Sequence, residues 1–336
     1  MMGIQSLNSN GFIGKKKNIA VVGTGYWGKN HVRNFYELGA LRSVCDISPI
    51  TLKKITQTYR GILHTSEFEE VLSDSEIQGI VIATQAETHY DLALLALNSG
   101  KDVLVEKPLA LTVRQARHLH EVAIRNDRIL MVGHLLLYHP AISKMKEFIT
   151  HGELGDIYYL YSHRLNLGKV RHEENILWSF APHDISVILE FLEEKPVFLQ
   201  SIGEAYLQSQ IHDVTMTTMK FKSGAMAHIH VSWLHPFKEH RIVIVGSEKM
   251  MVFQDTVQEN RLLLYDQRVD IVNGIPQVVQ RDGVRVEFST EEPLKRECMH
   301  FLESIETRKQ PKSDGQNGID VLEVLEWAQQ ELDTSN

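Results

Sequence analysis

The run 18-NIAVVGTGYWG-28 opens on apolar residues rich in β-branched side chains and then carries glycines at positions 23, 25 and 28. This pattern predicts a buried strand, a tight turn and the start of a helix that continues to about Leu38. Gly23 permits the bend, Gly25 lets the backbone approach a pyrophosphate, and Gly28 lets the helix pack closely on the sheet. The helix N-terminus adds amide donors and a partial positive charge for phosphates. Asp46 closes the next predicted strand, 41-LRSVCD-46, 21 positions after Gly25. Its carboxylate is placed to accept from a ribose 2′-hydroxyl. A glycine turn between strand and helix is common by itself; strand, helix and acid together favour a dinucleotide site. Asp46 would repel a 2′-phosphate, and Ile47 and Ser48 offer no arginine to receive one, so NAD is favoured over NADP. Tyr26 and Trp27 are bulky for such a loop; they either cover the cofactor or pack on the sheet edge.

Outward from this turn, strand and helix signals alternate. A helix is expected over 49–59 with Pro49 near its first turn, a short strand near Leu63, a helix over 66–73, and a strand at 78-QGIVIAT-84. The run 87-ETHYDLALLALNSG-100 has apolar residues at helical spacing and ends on Gly100, a good C-terminal stop. Strand 102-DVLVE-106, a helix over about 112–126 and strand 129-ILMVGH-134 follow. This alternation predicts a doubly wound parallel sheet. Past residue 150 the pattern changes. Strands are expected at 156–165, 197–207, 213–221, 225–234 and 240–246, with a Ser-Gly hairpin turn in 219-MKFKSGAMAH-228. With few helices between them, they predict a large, open, mostly antiparallel sheet. Helices are expected over about 183–193, 291–306 and 319–332. The fold class is therefore α/β: a Rossmann domain over 17–136 and an α+β domain over 137–336, whose C-terminal helix could return to the first domain. Residues 1–16 are read as a loose arm, with the Lys15–Lys17 cluster solvated.

Composition narrows the function classes. With 336 residues the chain exceeds the usual size of one domain. A formal charge of -8 argues against nucleic-acid binding, which usually needs a basic face. Cys45 and Cys298 are the only cysteines and lie far apart, which gives no disulfide framework, no metal spacing, and suits a reducing cytoplasm. No apolar run reaches the roughly 18 residues that a bilayer span needs, and no signal-peptide core is present.

The second chemical signal is 103-VLVEKPLAL-111. Lys107 follows a strand that should end at the same carboxyl edge as the glycine loop, where doubly wound sheets bind ligands. Pro108 fixes its own φ and pushes Lys107 toward an extended backbone; a cis bond here would aim the side chain more rigidly. Glu106 is placed to hold the ammonium or tune its pKa. A surface ion pair at a strand end is the plainer alternative, which the ligand edge disfavours.

Together, 23-GTGYWG-28, 83-ATQAETHYDLALLALNSGKDVLVEKPLALT-112 and 131-MVGHLLLYHPAI-142 resemble the glucose–fructose oxidoreductase / inositol dehydrogenase (Gfo/Idh/MocA) family over about residues 18–330. The resemblance implies a Rossmann domain followed by a domain whose open sheet mediates oligomers, here a homodimer or homotetramer. It implies NAD(P)-dependent oxidation or reduction at a sugar or cyclitol carbinol. By the same resemblance Lys107 matches the active-site lysine, and Thr84, Glu87 and His89 match the loop over the nicotinamide ribose, with Glu106 adjacent.

The family usually carries an Asp and a His four residues apart at the start of a helix in the second domain. In 175-NILWSFAPHDIS-186, His183 matches the His, but Ser179 stands where the Asp would be, so a lysine–aspartate–histidine relay does not transfer whole. Asp184 is expected to point elsewhere on the helix. His183 suits removal of a hydroxyl proton, because its pKa lies near neutrality. The run 163-HRLNLGKVRHEENILWSFAPHDIS-186 resembles dehydrogenases of surface-polysaccharide pathways that act on nucleotide-linked sugars, such as UDP-N-acetylglucosamine 3-dehydrogenases. Arg164, Asn166, Lys169 and Arg171 would supply donors to a pyrophosphate or to sugar hydroxyls. Trp178 would stack on a sugar or base, or anchor the loop. Tyr138 and His134 are expected beside the nicotinamide. His228 and His230 share a strand face near His235; without a converging carboxylate or Cys an oligomer face fits better than a metal site, with Met226, Ile229 and Trp233 in support.

The expectation is an NAD-dependent dehydrogenase of C3 of a nucleotide-linked N-acetylhexosamine, with Lys107 and His183 catalytic and no metal. Ketosugar reduction, a free-sugar or inositol dehydrogenase, and a non-catalytic nucleotide sensor are the alternatives.

Overall fold

The computed structural model describes residues 18–259 and 261–334. The expected arm over 1–16 and its lysine cluster lie outside these residues. The chain divides into two compact units. One holds the described residues up to Leu111, His118–Gly133 and Glu297–Asp314; the other holds Thr112–Arg117, His134–Arg296 and the chain from Gly315 onward.

In the first unit β1 (Ile19–Val22), β2 (Leu41–Cys45), β3 (Leu63–Thr65), β4 (Gly79–Ile82), β5 (Asp102–Glu106) and β6 (Leu130–Gly133) form a parallel sheet in the order β3-β2-β1-β4-β5-β6. The intervening helices are α1 (Gly28–Glu37), α2 (Pro49–Thr58), α3 (Phe68–Ser73), α4 (Ala86–Asn98) and α5 (Val113–Arg125). Every residue of β1, β4 and β6 is buried, as expected for strands covered on both faces. The strand order reverses between β1 and β4, the switch point where a doubly wound sheet opens a crevice at its carboxyl edge. Both the glycine loop after β1 and Lys107 after β5 stand at that edge.

The return of the chain to this unit has a packing reason. The helix over Pro293–Thr307 (α8 in chain order) buries Phe301 fully and Ile305 nearly so, beneath Gly79. Beyond it, the Val132 amide donates to the Ser313 carbonyl at 2.7 Å. The first unit is thus finished by residues 164 to 181 positions downstream of its last strand.

The second unit contains a 3₁₀ turn at Leu135–Tyr138 and then α6 (Pro140–Thr150), β7 (Ile157–Leu165), α7 (Ile176–Leu192), β8 (Pro196–Glu204), β9 (Val214–Phe221), β10 (Met226–Ser232) and β11 (Glu239–Gly246). After these come β12 (Met250–Gln254), β13 (Leu262–Tyr265), β14 (Arg268–Val272), β15 (Ile275–Val279), β16 (Val284–Arg285) and, after α8, α9 (Gly315–Thr334). Eight strands make one sheet, β16-β13-β12-β11-β7-β10-β9-β8, in which β7 and β10 pair in parallel and the other neighbours are antiparallel. β14 and β15 form a separate hairpin across Asn273-Gly274, both with positive φ. The expected Ser-Gly turn joins β9 to β10.

Two expectations change. The helix expected from about 183 starts at Ile176, where the Asn175 side chain caps it by accepting from the Trp178 amide. Pro182 sits inside the helix; it removes only the amide that would bond to the Trp178 carbonyl, while the apolar stripe through Ile185, Ile188 and Leu189 runs on. Ile229 and Trp233 are buried rather than on an oligomer face. The two-residue period of β10 sends Ala227, Ile229 and Val231 inward, and Met226, His228 and His230 outward. Trp233 instead donates its indole N–H to Asp213.

Candidate active site

The geometry of the glycine loop follows from three close approaches. Gly23 has φ +82°, and a Cβ on Gly28 would stand 1.8 Å from the Gly23 carbonyl oxygen, so neither tolerates a side chain. A Cβ on Gly25 would meet nothing within 4 Å, so packing does not demand that glycine; it leaves open space above the loop, as a bound pyrophosphate requires. No side chain caps the first turn of α1. Asp46 accepts from the Thr24 amide at 2.7 Å and the Thr24 hydroxyl at 2.9 Å through one oxygen, and from the Ser48 amide at 2.9 Å through the other. The acid is therefore held at the mouth of the loop. These residues fit an NAD dinucleotide. Tyr26 is 86% exposed, so it covers nothing within this unit; Lys29 lies over its ring.

Lys107 is half-buried at the end of β5, and its bond to Pro108 is cis. Glu106 turns its carboxylate toward α1. One oxygen accepts from the Trp27 indole and meets His31 Nε2 at 2.7 Å; the other accepts from the Lys107 amide at 3.2 Å. Burial opposes ionisation of Glu106, but the bonds from His31 and Trp27 and the Lys107 charge outweigh it and hold its pKa below the ordinary value. Trp27 thereby serves as an anchor for the carboxylate.

His89 is buried. Its Nδ1 meets the Pro108 carbonyl at 2.7 Å and its Nε2 the Thr84 carbonyl at 3.3 Å. Burial lowers its pKa despite these carbonyls, which keeps the ring neutral with one N–H to donate. Given to Pro108 across the shorter contact, that N–H ties the Lys107–Pro108 turn to α4. Thr84 exchanges a hydroxyl bond with Thr88 at 2.7 Å, and Glu87 is exposed in the first turn of α4.

In the second unit, Asp184 is fully buried and takes both the Nε and an Nη of Arg164, at 2.9 and 3.0 Å, plus the Ser162 hydroxyl at 2.6 Å. Arg164, expected as a ligand donor, therefore spends two of its nitrogens joining β7 to α7. His240, opposite Arg164 in β11, is pushed down to about 4 by burial and then by the Arg164 charge. Ser179 and His183 lie one turn apart on α7; Ser179 is buried and His183 half-buried. Asn166 has its side-chain oxygen buried with no hydrogen-bond partner among the described residues. Lys169 is exposed, and Arg171 pairs with Glu173 at 3.4 Å and Glu174 at 3.1 Å. Trp178 donates its indole N–H to Gln329 at 3.0 Å, and Asn175 donates to the same oxygen at 2.8 Å. Tyr138 and His134 are buried; Arg296 donates to the Tyr138 carbonyl, and His134 meets Asn317 at 2.7 Å.

On the outer sheet face, His228 stacks on Tyr161, and His163 lies edge-on to His230. A carboxylate does approach: Glu239 meets His163 at 3.2 Å. The one group of three metal-capable side chains among the described residues is elsewhere, at His31, Glu106 and Glu297.

A model of an oxidoreductase family with an NAD-binding Rossmann fold matches residues 17–134, and the Gfo/Idh/MocA C-terminal domain matches residues 142–252. The chain belongs to the Gfo/Idh/MocA family. It is an oxidoreductase of CH–OH groups, and its cofactor is NAD. Among relatives, it is 26% identical over 309 residues to the UDP-N-acetylglucosamine 3-dehydrogenase of Acidithiobacillus ferrooxidans, covering 90% of this chain and 93% of that protein. It is also 26% identical over 309 residues to the NAD-dependent scyllo-inositol 2-dehydrogenase of Bacillus subtilis, covering 87% of each. The solved structure of the Acidithiobacillus ferrooxidans enzyme superposes with a TM-score of 0.83 at 21% identity, covering 94% of this chain and 98% of that one. A structure of an enzyme of gentamicin A biosynthesis in complex with NAD gives 0.83 at 19% identity, covering 99% and 98%. These two likenesses establish the fold.

Sequence reasoning passed over His31, Glu297 and the Asp184–Arg164 pair. Each left a trace. His31 falls three residues after Gly28, on the buried face of α1, and Glu297 interrupts the apolar stripe of 293-PLKRECMHFL-302. Among the described residues no helix is long and apolar enough to cross a membrane.

Proposed function

We propose that this family member oxidises a hydroxyl-bearing carbon of a nucleotide-linked N-acetylhexosamine, at C3, with the same residues serving ketosugar reduction in reverse. The observation that carries the reading is Lys107: a half-buried ammonium at the ligand edge of an NAD-binding sheet, beside a carboxylate held in place from α1. NAD, when bound, accepts the hydride. As the ammonium, Lys107 polarises the oxygen as carbonyl character develops, and His183 then takes the hydroxyl proton; in its neutral amine form Lys107 takes that proton itself. Gly23, Gly25, Gly28 and Asp46 hold the dinucleotide, with Thr84 and Glu87 toward its nicotinamide ribose. Asn166, Lys169 and Arg171 are assigned to the nucleotide and sugar, which the 26% identity to a UDP-N-acetylglucosamine 3-dehydrogenase supports.

A second reading, an inositol dehydrogenase, is favoured by the equal identity to the scyllo-inositol enzyme. A panel of UDP-sugars, inositols and glucose, followed by absorbance of the reduced cofactor, separates the two. UDP-N-acetylhexosamines should exceed inositols by at least about 100-fold in kcat/KM, since a site built for polar contacts rejects ligands that lack them. An inositol that matches or outruns them sinks the nucleotide-sugar reading.

The outer sheet face is assigned to a homodimer or homotetramer. Phe198, Ile202, Met216, Met226 and Tyr159 are all exposed there on neighbouring strands, an apolar area unusual for a surface left bare. Met216→Asp combined with Ile202→Asp should lower the mass in light scattering to that of one chain, with the melting of the monomer fold still cooperative. An unchanged oligomer mass would remove this face from consideration.

A further inference from the structure

Glu297 is a carboxyl group with nothing ordinary to hold it. It is fully buried, and neither oxygen has a hydrogen-bond partner among the described residues. Its carboxylate, that of Glu106 and the His31 ring offer ligand atoms that all lie within 4.8 Å of one another. An ionised, unpaired carboxylate in such a place is strongly disfavoured. Two things could neutralise it, a metal ion or a proton. The geometry speaks against the metal. His31 Nε2 and Glu106 are 2.7 Å apart, a hydrogen-bond distance. Two ligands of one tetrahedral zinc stand roughly 3.4 Å apart, from bond lengths near 2.1 Å. The same Glu106 oxygen also accepts from the Trp27 indole, a donor that a cation would have to displace.

We propose that Glu297 holds a proton at neutral pH and acts as a positioning residue for Lys107, standing neutral beside the Glu106–His31 pair so that the cluster carries one carboxylate charge and not two. This rests on Lys107 being the proton-handling group proposed above. The charged and titratable neighbours are Glu106 on β5, His31 on α1, Lys107 after β5, Lys312 after α8, and Cys298, whose sulfur lies 3.8 Å from His31 Nδ1. Burial first, and the Glu106 charge second, push the Glu297 pKa well above the ordinary carboxylate range, against the pull of Lys312. With Glu297 neutral, Glu106 alone faces the Lys107 ammonium. A second carboxylate there would strengthen the hold on the lysine proton and oppose its release to a substrate oxygen.

The test uses the full-length protein with and without NAD, comparing wild type with Glu297→Gln and Glu297→Ala. Infrared spectra of the wild type at neutral pH should contain the carbonyl stretch of an un-ionised carboxylic acid, absent from Glu297→Gln. Because the folded acid keeps its proton while the unfolded one loses it, wild-type stability should fall relative to Glu297→Gln as pH rises above the ordinary carboxylate pKa. Glu297→Ala should lower kcat/KM about tenfold and shift its pH profile, as loss of an outer-shell partner does, and Glu297→Gln should recover most of it. A stoichiometric metal in the wild type that is missing from Glu297→Gln would overturn the proposal. So would an absent carbonyl band together with Glu297→Gln melting as low as Glu297→Ala. The infrared and stability results need no substrate, so they stand or fall separately from the substrate reading.

Discussion

Replacing Lys107 with alanine is expected to lower kcat by about 10²–10⁴-fold, the range that a positioned acid–base group supplies, while the Kd for NAD changes less than about threefold. The proposed dinucleotide grip is the glycine loop and Asp46, which the substitution leaves intact. Lys107→Arg sharpens the test. The guanidinium keeps the charge but does not release a proton in the accessible pH range. If Lys107 moves a proton, the arginine variant should turn over nearly as slowly as alanine; if it only stabilises charge, much of the rate should return. Stopped-flow reduction of NAD measures the chemical step directly. Turnover by the alanine variant within about tenfold of wild type would remove Lys107 from the chemistry.

Asp184→Ala should destabilise the second unit by about 3–5 kcal/mol, because it strands a buried cation. Arg164 is only 12% exposed and has two nitrogens on that carboxylate, and the Ser162 hydroxyl loses its acceptor as well. The midpoint of urea unfolding should fall at constant slope. Removing both charges, with Asp184→Leu and Arg164→Met, should recover a good part of the loss, since the penalty belongs to the unpaired ion and not to the absence of the pair. A single variant as stable as wild type would mean that water reaches Arg164 freely.

What the sequence made legible was local. The strand, three glycines and Asp46 lie within a single strand–helix–strand segment, so their chemistry is written in spacing, and the Glu106-Lys107-Pro108 turn needed only the knowledge that its strand ends at the ligand edge. The parts that escaped join distant residues. His31 meets Glu106 across 75 positions, and Arg164 meets Asp184 across 20, from a strand to a helix, with no periodic signal in common. Some misses were of signals that were present. Asn273-Gly274 is a strong hairpin mark and closes β14–β15, but it stands among the short strands after β11 that carry weak alternation. The helix expected over about 183–193 begins earlier because the Asn175 side chain caps it at Ile176. Trp233 and Ile229 are buried where an oligomer face is expected, because alternation alone does not say which face of a strand its covering helix takes.

The lengthwise arrangement of the first unit bears on how the chain leaves the ribosome. All six of its strands have been synthesised by Gly133, yet Phe301 and the backbone partner at Ser313 have not. At about 5–20 residues per second, the nascent sheet waits on the order of ten seconds or more with the apolar ground beneath Gly79 uncovered. During that interval the strands of the second unit are synthesised. The dinucleotide fold is therefore a late event in the life of this polypeptide, and a chain that stalls before residue 297 carries a nucleotide fold without its floor, a ready substrate for chaperones and proteases.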